Sequence, residues 1–251
     1  LHHLTEEQRA IIATARAFAD EHVRPFSDRW DREGHFEPSL IKKLGDLGFL
    51  GMLLPVEYDG LALEARSYLL ALEEIAAADA STAVMMSVHN SLPTQMLNAF
   101  GTPEQKKRFL APMARGEILG AFALSEPDAG SDASAIRCQA RRDGDHWILN
   151  GQKTFISSGI MADLVIVAAR TGEKLSLFIV ERDTPGFTVG KKEDKLGIRA
   201  SSTCELIFED CAVTADRVLG DAGKGYKVAI ETLNEGRIGI GAQMIGLAQG
   251  A

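Results

Sequence analysis

The period of the apolar residues switches twice, near Gly116 and near Lys224, and these switches constrain the fold more than any other feature of the chain. Up to about residue 118 the pattern is helical. Thr5 with Gln8 three residues on forms a capping box, opening a helix whose face carries Ile11, Ile12, Ala15 and Phe18; Pro25 ends it. A second helix starts near Pro38 and stops at 45–48. A third runs from 64 to 78 with Tyr68, Leu69, Leu72, Ile75 and Ala76 on one face, and a fourth from about 81 to 100. Thr102-Pro103-Glu104-Gln105 caps a fifth, which Gly116 closes. After Gly116 short alternating or apolar runs take over, at 118–124, 135–142, 146–149, 153–157, 164–169, 175–181 and 203–209. Asp143-Gly144 marks a hairpin between two of them. From Lys224 a helical period returns through Val228, Ile230, Leu233, Ile238, Met244, Ile245, Leu247 and Ala248.

Strands grouped after helices, not alternating with them, predict an α+β fold in three parts. These are a helical domain at 1–118, an antiparallel β-barrel or sandwich domain at 119–220, and the first helix of a C-terminal helical bundle at 221–251. The last helix reaches Ala251 with neither a capping glycine and breaker nor a basic last turn, so the bundle is expected to continue past it.

Composition narrows the function. With 45% hydrophobic and 25% charged residues the chain is typical of globular proteins. No apolar run approaches the ~18 residues of a membrane-spanning helix, so no membrane role is expected. The first residues lack the basic start and apolar core of a secretory signal. A net charge of -8 without a Lys/Arg block argues against nucleic acid. Cys138, Cys204 and Cys211 are an odd count without metal-like spacing, read as reduced structural thiols in a reducing compartment.

Two segments carry residue types suited to binding. In Ala121-Phe122-Ala123-Leu124-Ser125-Glu126-Pro127-Asp128-Ala129-Gly130-Ser131-Asp132 a strand runs into a loop rich in small residues and hydroxyls. Such a loop offers backbone N–H groups to an anionic or heteroaromatic ligand; an ordinary surface turn is the alternative. In Asn150-Gly151-Gln152-Lys153-Thr154-Phe155-Ile156-Ser157-Ser158-Gly159 a ring and a hydroxyl sit two apart, on one face of a regular strand. They could stack on and hydrogen-bond one flat cofactor, or Phe155 could be a plain core aromatic.

The first segment resembles the first signature of the acyl-CoA dehydrogenase family, and Leu149 through Ser157 is similar to that family's second flavin contact. The likeness continues in order through 41–60, 71–92, 183–190 and 196–211, covering essentially the whole chain. It implies FAD as cofactor, with Phe122, Leu124 and Ser125 lining the flavin and the Ser125 hydroxyl near its N1/O2 edge. Phe155 and Ile156 would pack against the ring, Ser157 would bond near N5, and Ser131 would lie between cofactor and the CoA part of the substrate. Asn234 and Arg237 match substrate-contacting positions. The implied reaction is α,β-dehydrogenation of an acyl-CoA thioester. An electron-transfer flavoprotein would be the electron acceptor, a homodimer or homotetramer the assembly, and the bacterial cytoplasm or mitochondrial matrix the location.

The family's glutamate base stands either far into the C-terminal domain or directly before the arginine matching Arg237. That neighbour is Gly236, and Glu235 is one position off, rotated ~100° around the helix. The base is therefore expected beyond Ala251, as in the short- and medium-chain type. A catalytically incomplete flavin- and acyl-CoA-binding subunit, and an acyl-CoA oxidase on the same scaffold, are the alternatives. Gly220-x-x-Gly223-x-Gly225 has the wrong order for a dinucleotide fingerprint, and Lys224 is no P-loop lysine. His89 is either a pocket residue or a satisfied core histidine. His2-His3 lacks further metal-like partners and reads as a disordered terminus.

Overall fold

The computed structural model describes residues 4–251, so the His2-His3 pair lies outside the described residues. Helix α1 (Glu6–His22) opens with the expected capping box, Gln8 N donating to Thr5 Oγ1 and Thr5 N to Gln8 Oε1, both at 3.1 Å. Helix α2 (Ser27–Glu33) has no counterpart in the sequence reading. It is one short stretch between Pro25 and Gly34, which ends it in the left-handed conformation at φ 72°. Helices α3 (Ser39–Asp46) and α4 (Ala65–Ala78) lie where the periodicity places them.

The run expected at 81–100 is two helices, α5 (Ala80–Ser91) and α6 (Pro93–Phe100). Pro93 has no N–H to continue α5, so it starts the next helix instead. Helix α7 (Pro103–Ala114) carries the second capping box. Helix α8 (Gly225–Gly250) lies across α4 and α5, and its glycines set how closely. A Cβ at Gly246 would stand 2.3 Å from the Glu73 carbonyl oxygen, and one at Gly250 2.3 Å from that of Ala77.

The strands are β1 (Gly120–Ala123), β2 (Gln139–Asp143), β3 (His146–Ser157), β4 (Leu164–Thr171), β5 (Lys174–Glu181), β6 (Phe187–Lys192), β7 (Thr203–Thr214) and β8 (Val218–Leu219). They form an 8-stranded sheet in the order β6-β7-β3-β2-β4-β5-β8, with β1 paired to β4. Most pairs are antiparallel, as expected. The β1/β4 and β2/β4 pairs are parallel, because long connections return the chain in the same direction. Two expected strands, 146–149 and 153–157, are one: the extra residue of the register shift between Leu149 and Gly151 lies on β7, where Asp210 sits at φ 47°, so β3 runs on unbroken.

One apolar cluster lies among the helices around Phe18, Trp30, Leu44, Leu72 and Ile75. A second fills the seam between helices and sheet, with Met96, Phe109, Met113, Phe122, Ile166 and Leu177. His89 spans this seam and is fully buried. Its Nδ1 accepts from Gly120 N at 3.1 Å, so Nε2 carries the proton and donates to the Met113 carbonyl at 3.2 Å. It is a satisfied core histidine.

Burial pushes the His89 pKa down to about 4, only partly opposed by the Met113 carbonyl. Between that value and the ordinary 6.5 the unfolded chain binds the extra proton and the folded one does not. Stability from this group is therefore full above about pH 6.5 and is lost as pH falls towards 4, by about 3 kcal/mol in all. Urea unfolding across that window is expected to show this slope, and His89→Gln to flatten it.

Candidate functional site

The two segments singled out in the sequence are fastened to each other. After β1, Glu126 N donates to the Ala129 carbonyl and Ala129 N to that of Glu126, each at 3.0 Å, closing a tight turn over Pro127-Asp128. The Glu126 carboxylate turns inward and is 7% exposed; Lys153, on β3, is 0% exposed. Lys153 Nζ donates to Glu126 Oε1 at 2.7 Å and to the Leu124 carbonyl at 3.0 Å. The same carboxylate accepts from the backbone N–H groups of Arg137 and, at 2.9 Å, Cys138. Thr154 N donates to the Ser125 carbonyl at 2.9 Å. The end of β1, the start of β2 and the middle of β3 thus converge on one buried ion pair.

Desolvation lowers the Lys153 pKa from its ordinary value, opposed by Cys138 and Glu126. Burial pushes the thiols of Cys138, Cys204 and Cys211 up to about 11 each, so at neutral pH they are inert apolar groups.

Immediately after Lys153 the strand bulges. Lys153 pairs with Leu206 and Ile156 with Cys204, so Thr154 and Phe155 together oppose Glu205. Phe155 sits at φ +56°, a conformation costing a bulky residue about 1–2 kcal/mol, and its side chain is 65% exposed. Simple alternation placed Phe155 and Ser157 on one face. The bulge breaks the alternation yet leaves the ring exposed and Ser157 half-buried, while Ile156 between them is 2% exposed in the sheet core. Ile156 can therefore offer a ligand its backbone but little side chain.

Phe122 is 9% exposed and packs in the seam cluster; Leu124 and Ser125 are half-buried and Ser131 is exposed. Among the described residues the hydroxyls of Ser125, Ser131 and Ser157 have no hydrogen-bond partner, which leaves them free for a ligand.

Asn234 and Arg237 lie exposed on α8, Arg237 Nη1 donating to Asn234 Oδ1. The structure does not bond them to the serines. Arg237 instead lines a cavity of about 270 Å³ whose apolar walls are Val88, Leu92, Leu233 and Ile240. Gly236 faces the same space, and a Cβ there would come within 3.3 Å of Leu92 Cδ2. Leu92 and Leu233, which line it, pack against the same apolar cluster as Leu124. Among the described residues its lining contains no carboxylate, and Glu235 is exposed.

A helical block joined to a mixed sheet, with two polar segments clamped together in the sheet and a cavity between α5 and α8, defines an α+β fold class. Comparison with known proteins makes that specific. Residues 5–117 match the acyl-CoA dehydrogenase N-terminal domain and residues 121–211 the acyl-CoA dehydrogenase middle domain. The mitochondrial short-chain specific acyl-CoA dehydrogenase of Mus musculus is 46% identical over 98% of this chain. Butyryl-CoA dehydrogenase from Megasphaera elsdenii superposes with a TM-score of 0.96 at 41% identity, covering 99% of this chain and 67% of its own. A glutaryl-CoA dehydrogenase from Mycobacterium smegmatis, solved in complex with FADH2, gives 0.94 at 38%, covering 98% and 64%. The chain spans 61% of the mouse relative's length. It belongs to the acyl-CoA dehydrogenase family.

The sequence reading did not single out Lys153 or Glu126, although both stand inside its motifs. Lys153→Met leaves a buried carboxylate without its counter-charge and is expected to cost about 3–5 kcal/mol of stability. Adding Glu126→Gln should recover part of that loss, measured as the coupling in a double-mutant unfolding cycle.

Proposed function

We propose that this chain is the flavin- and thioester-binding part of a dehydrogenase that introduces an α,β double bond into a short acyl-CoA. The observation that carries the reading is Phe155. A buried ion pair and a strained bulge hold its ring out of the core, on the strand that is bonded through Thr154 N to the Ser125 carbonyl and ends at the half-buried Ser157. A flat, hydrogen-bonding group such as the isoalloxazine of FAD fits that donor set. When bound, FAD supplies a two-electron acceptor for the β-hydrogen of the substrate.

The chain's own residues do the rest. Ser125 and Ser157 donate to the ring edges, where added negative charge would be stabilised. Phe155 and the half-buried Leu124 cover the ring, Phe122 packs behind it, and Ile156 contributes backbone. The apolar cavity takes the acyl chain, with Asn234 and Arg237 at its rim and Ser131 towards the CoA part. The mouse relative's short-chain specificity and the FADH2 complex of the mycobacterial one support the substrate size and cofactor.

Abstraction of the α-proton needs a base with a raised pKa in a dry site. The carboxylate-free lining of the cavity supports assigning that base outside residues 1–251. The same observation favours, as a second reading, a subunit that binds flavin and thioester but depends on a partner for catalysis. An electron-transfer flavoprotein as electron acceptor and a homodimeric or homotetrameric assembly belong to this proposal. So do location in bacterial cytoplasm or mitochondrial matrix and the division at 1–118, 119–220 and 221–251.

The test is an absorption titration with FAD followed by anaerobic butyryl-CoA. Bound flavin that stays oxidised is expected for residues 1–251, and bleaching once the base is supplied. Bleaching of residues 1–251 alone would place a base among them. Failure to bind FAD would contradict the cofactor site.

A further inference from the structure

The loop carrying Ser131 is secured by a side chain outside both flavin-facing segments. Arg170 stands near the end of β4, and the β2/β4 ladder consists of a single pair, Gln139 with Arg170. Before Gln139 the chain leaves the sheet, and the Arg170 side chain takes over as the tie. Nε donates to the Ile136 carbonyl and Nη2 to that of Ser134, both at 2.7 Å, while Nη1 reaches the Glu173 carbonyl at 3.1 Å. The Arg170 backbone N–H donates to the Cys138 carbonyl at 2.7 Å.

Two further bonds of this loop are local. Ser134 N donates to Asp132 Oδ1 and Ala135 N to the Asp132 carbonyl, each at 3.1 Å. They shape the turn that follows Ser131 but do not fix it to the sheet. Beyond the buried Ala133 and Ile136, and the Glu126 carboxylate that accepts from Arg137 N and Cys138 N, the planar guanidinium fork supplies that attachment. A lysine would keep the charge, but a single point donor cannot span three carbonyls.

We propose that Arg170 is a positioning residue for the thioester. By locking 131–136 to the β4–β5 hairpin it fixes where the Ser131 hydroxyl meets the CoA part of the substrate. The proposal rests on the acyl-CoA reading above. The clamp holds the 134–136 end of the loop, while the Lys153–Glu126 pair holds the residues on either side of the loop, Glu126 accepting from Arg137 N and Cys138 N.

The experiment compares the wild-type protein with Arg170→Lys and Arg170→Gln. Hydrogen exchange over 131–137 is followed without ligand, and butyryl-CoA binding is measured by calorimetry. Both variants are expected to exchange faster at Ser134 and Ala135, with β3 unchanged. Both should bind butyryl-CoA about tenfold more weakly while keeping wild-type FAD affinity. Unchanged exchange would overturn the proposal. So would faster exchange with unchanged butyryl-CoA affinity, which would leave Arg170 a purely structural role. A wild-type protein that binds no butyryl-CoA would instead contradict the functional reading, a result distinct from variants that bind as well as wild type.

Discussion

Everything at the site depends on one buried contact, the Lys153 ammonium against the Glu126 carboxylate. Neither charge could stay in this sheet alone, because desolvation would cost several kcal/mol per ion. Together they satisfy the Leu124 carbonyl and the N–H groups of Arg137 and Cys138, so three stretches of backbone are fixed by two side chains. Such a pair contributes little net stability compared with apolar packing, but it admits one arrangement only. That arrangement is what the bulge at Phe155 needs. A ring at positive φ and two-thirds exposed persists only where its surroundings over-determine the backbone.

The helical layer and the seam do a different job. His89 joins α5 to the start of β1 and to the end of α7, so the strand that leads into the first segment is anchored at its root. The glycines of α8 bring that helix onto α4 and leave space at Gly236 for the cavity. The two polar segments are thus fixed by the sheet, and the cavity at Gly236 is formed between α5 and α8. The two polar segments and the cavity are built from different elements, the first from strands and the second from helices.

The element types were legible because they follow from period. Both capping boxes, the hairpin at Asp143-Gly144 and the switch at Gly116 are local signals, and the structure reproduces them. Helix α2 was missed because seven residues give too few turns to show a period. The break before Pro93 was overlooked because apolar residues recur on both sides of it, although proline lacks the N–H that would continue α5. The parallel pairing of β1 with β4 is not written in either strand, since it is set by the length of chain between them. The binding segments were visible as unusual composition, but their clamp was not. Lys153 stands in phase with the buried Leu149 on β3, but only the inward turn of Glu126 shows what it pairs with. A bulge is likewise invisible to a reading that assumes strict alternation.

In the proposed function the Glu126–Lys153 pair assembles the flavin-facing surface and does not merely stabilise the sheet. FAD affinity of Glu126→Gln, measured where the variant remains fully folded by near-ultraviolet circular dichroism, tests this most directly. Loss of about tenfold or more in affinity with intact folding is the result expected from a pair that positions Ser125 and Phe155. Wild-type affinity in the folded variant would contradict it, and would show that the two segments hold their places without the pair.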